Sequence, residues 1–217
     1  VYITGTNGRN TTSRMVSAIC QSDQQFQGVG QTSTDGVLVN GDWIEHGDWT
    51  GPGAARMILR DPRVDVAILE TARGGLMRRG LVIDGVEACA VTNVSDDHLG
   101  SWGLQTVYDM AIAKLTVVLG VKEGGEVLLN ADCAVLMRAW EDMQSRHENR
   151  SWNASLFSSA RREGMALYID NGWIVHQGLG KVVEVSEIPL TLGGRAQYNT
   201  ENAMTAIGLA YAIGCTT

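Results

Sequence analysis

No CxxC pair, no HxxxH spacing and no apolar run long enough to cross a bilayer occurs in this sequence. Each absence removes a class of protein. The four cysteines, Cys20, Cys89, Cys133 and Cys215, are dispersed among apolar or small residues. That dispersion argues against a disulfide framework and predicts reduced, mostly buried thiols. The four histidines, His46, His98, His147 and His176, are scattered and offer no spacing for a structural zinc ion. A spanning helix needs about 20 consecutive apolar residues, and every apolar run here is far shorter. Positive charge is also short: 17 Lys and Arg against 24 Asp and Glu give a net charge of −7. A nucleic-acid footprint is therefore not expected, although a local basic site can still hold a small anion. No leader pattern precedes the first strand pattern, so the expected location is the cytoplasm. Internal repeats and low-complexity tracts are absent too.

What is present is a chain of 217 residues, 44% of them apolar. That is enough for one well-packed domain, or one with a small annex. Short buried-strand patterns at Val1–Thr4, "VDVAILE" and "EACAVTNV" each precede a loop and a helical pattern. Near-continuous apolar strands indicate burial on both faces. The spacing predicts helices over 11–21, with Met15, Ala18 and Ile19 on one face, and from Pro52 to before Pro62. Further helices are predicted over 105–119, 134–147 and the alanine-rich "AQYNTENAMTAIGLAYAIG". Asn40-Gly41 between alternating residues predicts a hairpin. Short alternating strands over about 152–190, with a turn at Asn171-Gly172, predict a small antiparallel annex. The fold class is α/β: a mainly parallel sheet with helices on both faces, plus that annex. The chain opens inside a strand pattern and closes just past a helical run. Residues 1–217 are thus expected to be one domain of a longer chain whose flanking domains are missing.

In such sheets ligands sit beyond the carboxyl ends of the strands, and three motifs fall there. "GTNGRNTTSR" follows the first strand. Its glycines permit a tight turn, so Gly5, Thr6, Asn7 and Gly8 form a backbone nest for phosphate, aided by the following helix N-terminus. Phosphate loops carry a lysine and then a metal-binding hydroxyl; here those positions hold Arg9 and Asn10, with Thr11 next. Arginine is a planar fork and no simple replacement for lysine, while Asn10 offers a neutral oxygen to a metal. The bland alternative is a glycine turn that merely starts a helix. Glu70 ends the second buried strand, where a carboxylate can hold a metal bridging phosphates or simply pair with Arg73. Asp96, Asp97 and His98 follow the third.

Taken in order, "GTNGRNTTSR", "VDVAILETARGGLMRRGL", "VTNVSDDHLG", "LNAD" and "YNTENAMTAIGLA" resemble the central ATP-binding domain of Mur ligases. With "TSTDG" and "GDWTGP" they are most similar to the Mur-ligase-like part of cyanophycin synthetases. The resemblance implies an ATP- and Mg²⁺-dependent ligase that joins a small or peptide-like carboxylate to an amino-acid amine through an acyl phosphate. It implies that Gly5 to Thr11 cradle the phosphates, with Arg9 in the catalytic lysine's place. Glu70 and His98 would match the magnesium ligands, with Asn10 beside them. Lys114 would match a helix lysine that is carbamylated in some members; by pattern alone it reads as a solvated helix face. Asn199 and Asn202 would match an asparagine pair near adenine, with Tyr198 where histidine is common. Thr34, Asp35, Thr50 and Arg73 would lie on the substrate side. Two other readings stay open at this point: a degenerate homologue disabled by Arg9 and Asn10, and an unrelated P-loop kinase. The acyl acceptor is not legible, nor is the oligomeric state, homo-oligomer included.

Overall fold

A computed structural model describes residues 1–96 and 99–215. Its centre is an eleven-stranded sheet. The strands are β1 (Tyr2–Thr4), β2 (Val29–Thr32), β3 (Gly36–Val39), β4 (Asp42–His46), β5 (Val66–Glu70) and β6 (Val86–Val91). The second half adds β7 (Val121–Asn130), β8 (Asn153–Ser158), β9 (Met165–Asp170), β10 (Trp173–His176) and β11 (Gly180–Glu184). The helices are α1 (Arg9–Ser22), α2 (Pro52–Arg60), α3 (Arg73–Arg79), α4 (Val107–Leu115), α5 (Ala134–Arg146) and α6 (Gln197–Ala212).

The sheet order is β11-β10-β9-β8-β7-β6-β1-β5-β2-β3-β4. From β2 through β5, β1, β6, β7 and β8 to β9, every neighbouring pair is parallel. The antiparallel pairs are confined to the two edges, β2-β3-β4 and β9-β10-β11. Alternate residues of the central strands enter opposite cores, as a period of two requires. Tyr2, Leu69, Cys89, Val91, Val127 and Leu129 pack with α2, α3, α4 and α5. Ile3, Ile68, Ala88, Ala90 and Leu128 pack with α1 and α6. Burial on both faces explains why these strands read as unbroken apolar runs.

Two sequence expectations change, and α1 proves to have a second, more deeply buried face. The strands of 152–190 continue the main sheet rather than forming a separate annex: β8 is parallel to β7, and β9 to β8. Only β9-β10-β11 has the expected antiparallel pairing, with the turn at Asn171-Gly172. The helix over 105–119 stops at Leu115, and Thr116–Gly120 tightens into a 3₁₀ turn. In α1 the fully buried side is Thr12, Ser13, Val16, Ser17 and Cys20. Met15 and Ile19 are only half-buried and Ala18 is exposed; all three line an apolar groove of about 570 Å³ against α6 and β11. Small polar residues sit under α1 because they allow it to lie close to the sheet and α6. Among the described residues no helix is long and apolar enough to cross a membrane.

Candidate functional site

The chain leaves β1, the strand between β5 and β6, on the side where all three strands end. It winds first to β2 and β5 on one flank and then to β6 on the other, so β1 is a switch point. The loops after β1, β5 and β6 therefore converge.

Gly5 and Gly8 shape the loop after β1 for different reasons. Gly8 is left-handed at φ 80°, and a Cβ there would lie 2.0 Å from Asn202 Oδ1. A Cβ on Gly5 would lie 1.9 Å from Thr92 Oγ1. The loop is then tied to the end of β6. Thr6 N–H donates to the Asn93 carbonyl at 3.0 Å and Asn7 N–H to Asn93 Oδ1 at 2.9 Å. Thr92 Oγ1 and Asn93 Nδ2 both donate to the Asn7 carbonyl, at 2.9 and 3.1 Å, and Ser95 N–H donates to Thr6 Oγ1 at 3.1 Å. The amides of Thr6 and Asn7 are thus engaged. The first amide of α1 with a helical acceptor is Thr12 N–H, on the Gly8 carbonyl at 2.8 Å. Those of Arg9, Asn10 and Thr11 open the helix without an intrahelical acceptor, and they carry its partial positive charge.

Glu70, at the end of β5, is 2% exposed. Arg9 Nε lies 3.2 Å from its Oε1, and Thr34 N–H donates to its Oε2 at 3.3 Å. Burial pushes the Glu70 carboxyl above its ordinary value; Arg9 and the Thr34 amide pull against that, while Asp48 and Asp35 add to it. Burial wins because a carboxylate out of water loses more than one partly exposed guanidinium returns. Arg9 Nη1 also donates to the Gly5 carbonyl at 3.3 Å.

Asn10 is oriented by its surroundings. Its Nδ2 donates to Asp35 Oδ2 at 2.6 Å and to Thr34 Oγ1 at 3.3 Å, and Arg14 Nη2 holds the same Asp35 oxygen at 2.6 Å. A carboxylate only accepts, so the amide nitrogen must face Asp35 and the oxygen must face away. That oxygen, Asn10 Oδ1, is buried and has no hydrogen-bond partner among the described residues.

Lys114 corrects the pattern-based expectation of a solvated face. It is 2% exposed, and its Nζ donates to the Gly5 carbonyl at 2.7 Å. The other lysines, Lys122 and Lys181, are exposed. Asn202 is buried beneath Gly8, accepts from Thr12 Oγ1 at 3.4 Å and donates to Asn199 Oδ1 at 3.2 Å. Asn199 in turn donates to the Leu190 carbonyl at 2.6 Å. The pair thus couples α6, α1 and the 189–192 turn. Tyr198 beside them is 65% exposed.

The structure therefore brings together Gly5, Gly8, Arg9, Asn10, Thr34, Asp35, Glu70, Lys114 and Asn202. Thr50 lines one narrow cleft with Glu70 and donates to Asp48 Oδ1 at 2.7 Å. Arg73 instead meets Met110 Sδ across α3 and α4 at 3.9 Å. Asp97 and His98 lie outside the described residues. Sequence reasoning missed Asn93, which clamps the loop after β1. Its signal was present: a polar residue two positions past a buried strand that adjoins the loop's own strand.

The Mur ligase middle domain model matches residues 3–210. The cyanophycin synthetase of Crocosphaera subtropica is 39% identical over 220 residues, which is 99% of this chain and 25% of that protein. The chain thus spans about a quarter of the length of the cyanophycin synthetases it matches. A solved UDP-N-acetylmuramoyl-L-alanyl-D-glutamate–2,6-diaminopimelate ligase superposes with a TM-score of 0.74 at 22% identity, covering 98% of this chain and 43% of its own. A bifunctional folylpolyglutamate synthase/dihydrofolate synthase, solved with Mn, AMPPNP and L-glutamate bound, gives 0.66 at 18% identity, covering 97% and 53%. Sequence match, strand order and the loop after β1 agree: the chain belongs to the Mur ligase middle domain family.

Proposed function

We propose that this domain binds ATP with a divalent metal, Mg²⁺ by preference, and is the phosphoryl-transfer core of an ATP-dependent carboxylate–amine ligase of the cyanophycin synthetase kind. The observation that carries the reading is the convergence of the opening amides of α1, the Arg9 guanidinium, buried Glu70 and buried Lys114 around one loop. Phosphoryl transfer asks a protein mainly for position and for fixed positive charge where negative charge develops.

The residues fit the two groups. The first amides of α1 and the left-handed turn at Gly8 suit phosphate oxygens. Glu70 and the unpartnered Asn10 Oδ1 are hard oxygen donors of the type a small divalent cation takes. His98 is proposed as a further ligand. Bound metal supplies charge neutralisation across the phosphates. Arg9 then serves as the donor that follows the transferring phosphoryl oxygens, and Lys114 holds the loop backbone by the Gly5 carbonyl. Asn199 and Asn202 fix the base-side wall through α6. Thr34, Asp35, Thr50 and Arg73 are assigned to the substrate side.

In the reaction, a carboxylate oxygen of the substrate attacks the γ-phosphorus, and the β–γ bridging oxygen leaves with ADP. An amine nitrogen then attacks the acyl carbon, phosphate departs, and the nitrogen loses a proton. The carboxylate is small or peptide-like and the amine is that of an amino acid. The domain alone is expected to bind nucleotide without efficient turnover. The test is ATP-dependent phosphate release by the longest parent polypeptide, assayed with pairs of candidate carboxylates and amino acids. Release that requires both substrates supports the reading. A folded, nucleotide-free protein with no release for any pair contradicts it.

A further inference from the structure

The phosphate loop and the metal carboxylate are not independent in this chain. Both Glu70 oxygens are engaged, Oε1 by Arg9 Nε at 3.2 Å and Oε2 by Thr34 N–H at 3.3 Å. A metal ion drawn to Glu70 competes with the guanidinium for Oε1 and is repelled by its charge. The side chain that must move is Arg9. It is 21% exposed while Glu70's side chain is 1% exposed, so solvent and ligands reach the pair from the arginine side. Arg9 is also the residue a phosphate would recruit, because it stands at the first position of α1, among the opening amides.

We propose that Arg9 is a latch on the metal site: it holds Glu70 until nucleotide phosphates draw the guanidinium away, so that nucleotide binds before metal. The proposal rests on the nucleotide-binding reading above. The side-chain chemistry favours arginine for this task. Its fork spans two acceptors at once, Nε on Glu70 and Nη1 on the Gly5 carbonyl, where a lysine ammonium acts as a single point charge. Among the described residues, what remains for a metal before the latch opens is Asn10 Oδ1, a neutral oxygen held in place by the Asp35–Arg14 pair. With His98 as the further ligand the set is still neutral, a poor site for a cation that prefers carboxylates.

The test is Mn²⁺ binding, read by electron paramagnetic resonance, with and without AMPPNP. Without nucleotide the unmodified chain binds Mn²⁺ weakly. Arg9→Gln, which frees Glu70, raises nucleotide-free Mn²⁺ affinity by about tenfold or more. The double variant Arg9→Gln with Glu70→Gln loses that gain, which a merely structural role for Arg9 would not produce. Arg9→Lys, which keeps the charge, keeps most of the nucleotide dependence. Equal nucleotide-free affinity in Arg9→Gln and the unmodified chain overturns the latch.

A second measurement needs no variant. The Arg9 Nε resonance of ¹⁵N-labelled chain shifts on addition of metal-free AMPPNP and stays in place with Mg²⁺ alone. A shift with Mg²⁺ alone overturns the proposal. Failure of AMPPNP to bind under any metal condition removes both the latch and the nucleotide reading. Binding of AMPPNP with Mn²⁺ affinity unaffected by Arg9→Gln removes the latch only.

Discussion

At the scale of single residues, the site depends on groups that carry no obvious sequence signal. Lys114 is the clearest case. Its partner, the Gly5 carbonyl, lies 109 positions away in the chain, so no helical period could place it indoors; only the family resemblance did. Lys114→Met keeps the side-chain volume and removes the donor. Charge-assisted hydrogen bonds contribute about 1.5–3 kcal/mol, so nucleotide affinity by calorimetry should fall roughly tenfold or more while circular dichroism stays unchanged. Gly8 makes the opposite point, because its motif was legible and its reason was not. The loop pattern called for a glycine there, but the demand comes jointly from a φ of 80° and from Asn202 Oδ1 standing 2.0 Å from any Cβ. Gly8→Ala should cost about 1–3 kcal/mol in urea denaturation, and it should weaken nucleotide binding as the turn opens. Asn93 went unread because a clamp residue acts through its neighbours: its contacts are with the backbone of Thr6 and Asn7.

At the scale of elements, the buried central strands were readable because both faces are covered. "VDVAILE" and "EACAV" supply side chains to two cores at once, and a doubly buried strand is apolar at nearly every position. The outer strands were harder. β8 and β9 are partly exposed, and an alternating half-buried strand looks the same whether its neighbour runs parallel or antiparallel. Pairing direction is set by where the chain crosses, which no single strand records. The inner face of α1 went unread for a related reason: its innermost residues include Thr12, Ser13 and Ser17, which suit the close approach by size rather than hydropathy.

One contact at this scale has a pH signature. His176 of β10 packs against Tyr211 of α6 with ring centroids 4.2 Å apart and the planes tilted by 52°, and its Nδ1 accepts from Gly178 N–H at 3.0 Å. Burial pushes the imidazole below its ordinary value of 6.5. The unfolded chain therefore takes up the proton first as pH falls. Stability should be fully present above pH 6.5 and decline below it, down to the lowered folded value. His176→Gln, which keeps an acceptor but cannot titrate, should flatten that decline in denaturation curves compared between neutral and mildly acidic pH. An equal decline in the variant would assign the effect elsewhere.

At the scale of the molecule, the sheet order does most of the functional positioning. β1 lies between β5 and β6, and all three end on the same side. The loop after β1, a buried carboxylate and the Asn93 clamp then meet without any long-range folding of loops. This convergence was legible from strand patterns, since three motifs each followed a buried strand. The pairing inside it was not. Arg9 reads in sequence as a variant of the usual lysine and Glu70 as a separate metal ligand, yet the two form one ion pair at 3.2 Å. The chain spans about a quarter of the cyanophycin synthetases it matches, and the proposed division gives catalysis to a longer polypeptide and nucleotide recognition to this sheet.

The most direct test of that division is calorimetric titration of the 217-residue chain with Mg-ATP, with Gly8→Ala as the control. The account predicts one site with a dissociation constant in the micromolar range, about −8 kcal/mol, and clear weakening in the control. No binding at millimolar Mg-ATP by a chain shown to be folded would contradict it.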